Sequence, residues 1–332
     1  MVAHARLQLV YLEQPSEQFT ASLTVATEVL PVFESSHDEL GLARAWLRIG
    51  QVRQSQGRFG AAADMLNQAL GHASAAGAEL ERASILGALA VSLWQGPEPV
   101  HLAIEGCRRL LAEHSGAGLV VRAALGCPLA ALLATAGESH AARETIAEAQ
   151  KIINEIGHAY AAATVPIFAA AVESLAGEWE RAVGLLEDAE RRCSALGDEQ
   201  LRETAHDGRA RALLELGKFD DAARLAWESS AGMTLMPVRT AALRGVIART
   251  LAVRGQHAAA RQIAAEALNA ADRTDSLDCQ ATALLDLAHV HAQAGRYRAA
   301  RSAAERAWQL FGRKEHVVGQ RWAVALLNGR LR

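Results

Sequence analysis

The sequence predicts an all-α fold, a solenoid (superhelix) of about seven to eight stacked helical hairpins repeating about every 40 residues. Composition leans the same way. The chain is 51% hydrophobic and 21% charged, which suits a folded, well-packed protein, while aromatics are only 5% and alanine is abundant, as close helix-on-helix packing favours. Glycines stand at Gly57, Gly96, Gly137, Gly177, Gly217, Gly255 and Gly295, spaced 39, 41, 40, 40, 38 and 40 residues apart.

Further columns travel with six of these glycines, Gly96 being the irregular one. Alanine follows five positions later at Ala62, Ala142, Ala182, Ala222, Ala260 and Ala300. Seven positions earlier stand Gly50, Ala130, Ala170, Ala210, Ala248 and Ala288. Two positions after comes a ring at Phe59, Trp179, Phe219, His257 and Tyr297, with Ser139 the exception. Twelve after, the residues are Ala69, Ala149, Ala189, Ser229, Ala267 and Ala307. Glycine supplies the positive φ that ends one helix and turns tightly into the next. Small residues on either side let two antiparallel helices approach, and the ring covers the gap beside the turn. Small, glycine, aromatic, alanine, alanine at this spacing is the tetratricopeptide pattern, here with helices about a turn longer than usual.

In chain order, residues 3 to 13 and 17 to 35 offer two helices of an incomplete first unit spanning residues 1–36. Full hairpins follow, turning at each glycine. Apolar residues at helical spacing flank the turns, as in Ala182, Val183, Leu185, Leu186 and Ala189. Pro128 and Pro166 fall inside first helices of their hairpins, so those helices are expected to kink or start late. A closing helix from Val317 caps the array over residues 317–332. No linker divides the chain, which reads as one solenoid domain over 1–332.

Cys107, Cys127, Cys193 and Cys279 form no CxxC pair and read as free thiols of a reducing cytoplasm. No window approaches the roughly 18 uncharged apolar residues of a membrane span, and the N-terminus lacks a long apolar run. The formal charge of −3 hides a basic end: residues 296 to 332 hold Arg296, Arg298, Arg301, Arg306, Arg313, Lys314, Arg321, Arg330 and Arg332 against Glu305 and Glu315. Without an aromatic stacking platform or a DNA-reading motif, a solvated terminal helix pair is preferred to a nucleic-acid dock.

Catalytic and cofactor chemistry finds no motif. His289 and His291 are two apart on a helix and face different ways, unlike metal ligands at i, i+4, so no metal or cofactor is expected. Gly116-Ala117-Gly118 lacks a preceding strand and reads as a hairpin loop. Glu187-Asp188 and Asp220-Asp221 sit where a solvated helix face is expected.

The concave side falls to first-helix positions thirteen, ten, six and three before each glycine. These give Leu86, Ala90 and Leu93, then Ala124, Cys127, Ala131 and Ala134, then Thr164, Ile167, Ala171 and Ser174, then Thr204, Asp207, Arg211 and Leu214, then Gly245 and Arg249. One reading is a partner-binding groove with an apolar floor (Leu93, Cys127, Ala131, Ile167, Ala171) and a charged edge (Asp207, Arg211, Arg249) for an amphipathic helix or extended peptide. The other is that curvature packs the alanines against the next repeat and pairs Asp207 with Arg211.

Several stretches also resemble one family: Ser92 to Val100 (SLWQGPEPV), Ala170 to Ala182 (AAVESLAGEWERA), Ala271 to Asp275 leading into Ala283 to Ala288, and Leu310 to Lys314. They are similar to the C-terminal tetratricopeptide region of bacterial regulators with an N-terminal nucleotide cyclase domain and a central AAA-type ATPase, and to tails of LuxR-type ATP-binding regulators. The resemblance implies a non-catalytic regulatory or sensing module in signalling or transcription control that engages a protein partner. The only Gly-Lys, Gly217-Lys218, is followed by Phe219 and makes no phosphate cradle, so cyclase, ATPase and DNA-binding activities are not implied. Two alternatives stand beside the scaffold reading: a regulatory tail of such an enzyme without its catalytic domains, and a peptide or small-molecule receptor using the groove.

Overall fold

A computed structural model describes residues 2–13, 18–114, 118–230 and 236–329. Those residues form helices and turns, with no strand among them. In order the helices are α1 (Val2–Glu13), α2 (Gln18–Ser35), α3 (Glu39–Ser55), α4 (Phe59–Ala75), α5 (Glu79–Gln95), α6 (Val100–Glu113), α7 (Gly118–Thr135), α8 (Ser139–Ile156) and α9 (Ala159–Ala176). The second half holds α10 (Trp179–Leu196), α11 (Glu199–Glu215), α12 (Phe219–Ser230), α13 (Pro237–Val253), α14 (His257–Ala271), α15 (Leu277–Gln293), α16 (Tyr297–Lys314) and α17 (Val317–Leu327).

The repeat has the predicted mechanics. Gly57, Gly137, Gly177, Gly217, Gly255 and Gly295 all take positive φ, between 68° and 87°. At Gly57 the helix closes with Arg58 N donating to Arg53 O at 2.9 Å, the six-to-one bond of a Schellman cap. Gly96 departs from the column: its φ is −78°, and the Gly96-Pro97-Glu98-Pro99 turn is extended. The reversals between hairpins reuse the device at half the period. Gly77, Gly157 and Gly197 also have positive φ, and at the equivalent ends His37 (51°) and Glu315 (59°) adopt it without being glycine.

The alanine columns are the contact surface. Ala62, Ala142, Ala182, Ala222 and Ala260 have no exposed area, and neither do Ala130, Ala210, Ala248 and Ala288. The ring column starts the second helix of each hairpin, but only Phe59 is fully buried and Tyr297 stays 70% exposed. Alternate helices α3, α5, α7, α9, α11, α13, α15 and α17 touch one another in series and form the inner layer.

Two expectations need correction. Of the two outcomes expected at Pro128 and Pro166, the late start is excluded: both lie within continuous helices, α7 beginning at Gly118 and α9 at Ala159. Proline leaves the carbonyl one turn earlier without its helix donor, and at Ala162 the guanidinium of Arg192 approaches that oxygen at 3.4 Å. In addition, α7 and α9 are each 18 residues long, carry a single charged residue, and are long and apolar enough to cross a membrane by length and composition. Here 72% of the α7 window is buried among neighbouring helices, and the one charge of α9, Glu173, is buried and paired with Arg143 at 2.6 Å.

The superhelix bends until its late turns meet its early ones. Helix α4 has no capping side chain of its own; instead Asp275, in the turn before α15, accepts from Phe59 N and Gly60 N, both at 2.9 Å. In return Asp275 N donates to Gly57 O at 2.9 Å. Lys314, at the end of α16, is fully buried and donates to Leu93 O (3.2 Å), Gly96 O (2.7 Å) and Glu98 O (2.7 Å). Glu315 pairs with His101 beside it, and α17 reaches α7. The expected solvated basic end is corrected at Lys314, whose ammonium is buried in this seam; Arg330 and Arg332 lie outside the described residues, as do Gly116 and Ala117 of the predicted hairpin loop.

Candidate functional site

Closure leaves a cavity of about 1130 Å³ along the inner layer. Its walls come from the ends of α5 and α7, from α9, α11, α13, α15 and α17, and from α10 and the start of α12. One side is apolar and small, with Ile167, Ala170 and Ala171 on α9, and Trp94, Trp179, Phe219 and Trp322 frame it. Trp179 and Trp322 touch each other, with ring centroids 6.4 Å apart and planes tilted by 35°, so that α10 meets α17.

The opposite side is a charged network. Arg211 on α11 makes a two-pronged bond to Asp286 on α15, Nη1 to Oδ1 and Nη2 to Oδ2, each 2.7 Å. Arg249 on α13 binds Glu215 Oε1 at 2.5 Å and reaches Asp286 Oδ1 at 3.5 Å. Glu215 closes the ring at 3.9 Å from Arg211. Burial alone would raise the Asp286 carboxyl, but Arg211 and Arg249 outweigh it and hold it below the ordinary aspartate range. Room for the pair comes from Gly245 on α13: a Cβ there would overlap Asp286 Oδ2 and lie 3.0 Å from its Cγ and 3.1 Å from Arg211 Nη2. His289, one turn beyond Asp286, is pushed down to about 4 by burial and then by Arg249, so it lines the cavity as a neutral imidazole at neutral pH.

One carboxylate differs. Asp278, in the first turn of α15, lines the cavity, and its Oδ1 is buried with no hydrogen-bond partner. Burial raises its pKa against the pull of His316 and Lys314. His316 caps α17 by accepting from Gly319 N through Nδ1 at 2.9 Å, and burial lowers its own pKa.

Of the sequence-predicted groove residues, Ile167, Ala171, Arg211 and Arg249 lie together on the cavity wall. Cys127 and Ala131 do not reach it: they are buried in the packing of α7 with its neighbours, at 5% and 0% exposure. Leu93 packs into the same cluster from its edge. Asp207 faces Arg239 of α13 at 2.6 Å, not Arg211, so the anticipated i, i+4 pair does not form. Interhelical geometry prevails because Arg211 finds the buried Asp286 and Arg239 the half-buried Asp207, each on another helix. Sequence reasoning missed Asp286, Glu215, Asp278 and the tryptophans. The same thirteen, ten and six register, carried to Gly295, lands on Thr282, Leu285 and His289, all of which line the cavity.

No grouping of three or more His, Cys, Asp or Glu side chains suited to a metal ion occurs among the described residues. The four thiols are unpaired, and burial pushes Cys107, Cys127 and Cys279 up to about 12, far from a reactive thiolate.

No family model matches the sequence, and no curated protein matches it. Among solved structures, Cut9–Hcn1 of the APC/C is similar with a TM-score of 0.61 and 14% identity, over 99% of this chain and 67% of that one. A Rap protein complexed with competence and sporulation factor is similar at 0.57 and 11% identity, over 98% and 97%. NprR in complex with its cognate peptide NprX is similar at 0.50 and 13%, over 92% and 76%. At these identities the likeness is one of fold, a tetratricopeptide-type helical solenoid.

Proposed function

We propose that this chain is a non-catalytic receptor scaffold whose inner cavity takes a peptide, or an extended segment of a partner protein, as the sensing part of a bacterial regulatory system. The observation that carries the reading is the cavity itself. At about 1130 Å³ it exceeds the roughly 300–1,000 Å³ of ordinary small-molecule pockets, and tryptophans and small residues on one side face a fixed polar network on the other. Binding of peptides by solved proteins of similar fold, the Rap and NprR complexes, supports a peptide as occupant. The regulatory role and a cytoplasmic setting draw on the resemblance of the SLWQGPEPV and AAVESLAGEWERA stretches to regulator tails. The arginines serve here as architecture, each committed to a carboxylate, and not as nucleophile or acid–base groups.

Ala171→Trp and Ala325→Trp, which fill the cavity from α9 and from α17 at residues outside the charged network, test the reading. Both variants are expected to lose the peptides or partners that the wild-type protein retains, with unchanged helix content. Retention of every partner by both filled variants would overturn it.

A further inference from the structure

We infer that the cavity selects a cationic occupant: an apolar peptide segment carrying one ammonium or guanidinium group, which pairs with Asp278. This rests on the receptor reading above and adds the chemistry of the ligand.

The inference follows from hydrogen-bond accounting over the described residues. The cavity wall holds two guanidiniums, Arg211 and Arg249, and three carboxylates, Glu215, Asp278 and Asp286. Four of these five groups are mutually satisfied at 2.5–2.7 Å. Asp278 is left over: its Oδ1 is buried and accepts nothing. The nearby cations give that oxygen no hydrogen bond, although Lys314 attracts the carboxylate through space. The Lys314 ammonium is spent on three carbonyls, and His316, its Nδ1 accepting from Gly319 N, is kept neutral by burial. An unpartnered buried acceptor costs about 1–3 kcal/mol, more when charged, so a donor arriving there recovers what folding left unpaid. The surroundings specify the rest of the ligand. Trp322 and Trp179 line the cavity and supply aromatic surface that suits an apolar or cationic side chain. An anionic group would meet the unpartnered Asp278 oxygen, with both guanidiniums already engaged.

The test uses pentapeptides Ac-Ala-Leu-X-Leu-Ala-NH2 with X as Lys, Arg, Gln or Glu, and a fifth peptide with a free N-terminus and X as Gln. Binding is followed by calorimetry and by the emission of the cavity tryptophans. The Lys and Arg peptides are expected to bind at least about tenfold tighter than the acetylated Gln peptide, as one charge-assisted hydrogen bond allows, and the Glu peptide weakest. A gain confined to the fifth peptide would assign the cation to a chain terminus and still support the inference. Asp278→Asn, nearly isosteric, should bring the Lys and Gln peptides within about twofold of each other. Trp179→Ala should weaken all peptides while keeping their order. Equal binding of Lys, Gln and Glu peptides to the wild-type protein would overturn the cationic inference and leave the receptor reading standing. Binding of none of them would overturn both. The wild-type comparison decides the matter even if Asp278→Asn folds poorly.

Discussion

Gly245→Ala is the substitution for which this structure predicts a sign opposite to the general rule. Alanine in a helix interior is favoured over glycine by about 1 kcal/mol, so a glycine in mid-helix ordinarily marks an easy stabilisation. Gly184 on α10 is such a position: nothing lies within 4 Å of the Cβ it lacks. Gly245 on α13 is the reverse. Its missing Cβ leaves the volume filled by Asp286 Oδ2, with Cγ at 3.0 Å and Arg211 Nη2 at 3.1 Å. The carboxylate cannot yield without giving up one or both of its 2.7 Å bonds to Arg211. Asp286 is 2% exposed, so water cannot replace what is lost, and breaking a buried pair costs about 3–5 kcal/mol. Set against the helix gain, Gly245→Ala should destabilise by about 2 kcal/mol or more, whereas Gly184→Ala should stabilise by up to about 1 kcal/mol. Urea denaturation followed by far-ultraviolet circular dichroism measures both midpoints. If Gly245→Ala proves as stabilising as Gly184→Ala, the Arg211–Asp286 pair is not the close-fitted element described above.

Other predictions address the seam and the acid limb. Lys314→Met keeps the length of the side chain and removes three donors to buried or part-buried carbonyls; after allowance for the burial penalty of the ammonium it should cost about 3 kcal/mol, and an unchanged thermal midpoint would refute the clasp. Asp275→Ala should cost about 0.5–2 kcal/mol, as loss of a helix cap does, and should selectively speed hydrogen exchange at the Phe59 and Gly60 amides, even though these lie in a distant helix of the sequence. His289 has its pKa lowered from 6.5 to about 4 in the folded chain, so between those values the unfolded chain binds a proton that the folded one refuses. Stability should therefore fall as pH drops from 6.5 towards 4, by at most about 3 kcal/mol from this group, and His289→Gln should flatten that part of the profile; an identical profile in both proteins would remove His289 as its source.

Local geometry was open to sequence reading because it is set by single residues. A left-handed turn needs glycine and a close helix crossing needs alanine, so columns at Gly57 and Ala62 repeat wherever the geometry does. The half-period turns were harder to see because the column is broken: Gly77, Gly157 and Gly197 keep it, but His37 and Glu315 fill the same role with side chains that only tolerate the conformation. Superhelix closure is a different matter. It is the sum of small rotations at every hairpin, and no residue encodes it alone. Lys314 consequently reads as a surface charge in the sequence and Asp275 as an ordinary turn residue, although one is fully buried and the other caps a helix more than 200 residues away in the chain. Cys127 and Ala131 were misplaced for the related reason that spacing names a helix face, while curvature decides whether that face meets a cavity or the next helix. Asp286 did leave a trace, as a lone carboxylate within the apolar run Leu284-Leu285-Asp286-Leu287-Ala288, where a charge must find a buried partner.

The seam and the cavity share one turn of chain, and this couples them. Asp275 caps α4 across the seam, Ser276 caps α15 by accepting from Cys279 N, and Asp278 in that same first turn carries the unpartnered oxygen of the cavity. Lys314 and His316 lie two residues apart at the junction of α16 and α17, with Lys314 in the seam and His316 on the cavity wall. Parting the late turns from the early ones would carry α15 and α17, with Asp278 and Trp322, away from Trp94 and Gln95 at the end of α5, so an open superhelix has no complete site. A ligand that binds only the closed form must then stabilise the seam by the same free energy by which the seam improves ligand affinity. Saturating Lys pentapeptide should slow exchange at the Phe59 and Gly60 amides, which touch no ligand, and Asp275→Ala should weaken the peptide by the factor that relates the closed populations of the two proteins. Peptide binding that leaves those amides unprotected, or an Asp275→Ala protein with wild-type affinity despite a loosened seam, would show that site and seam are independent.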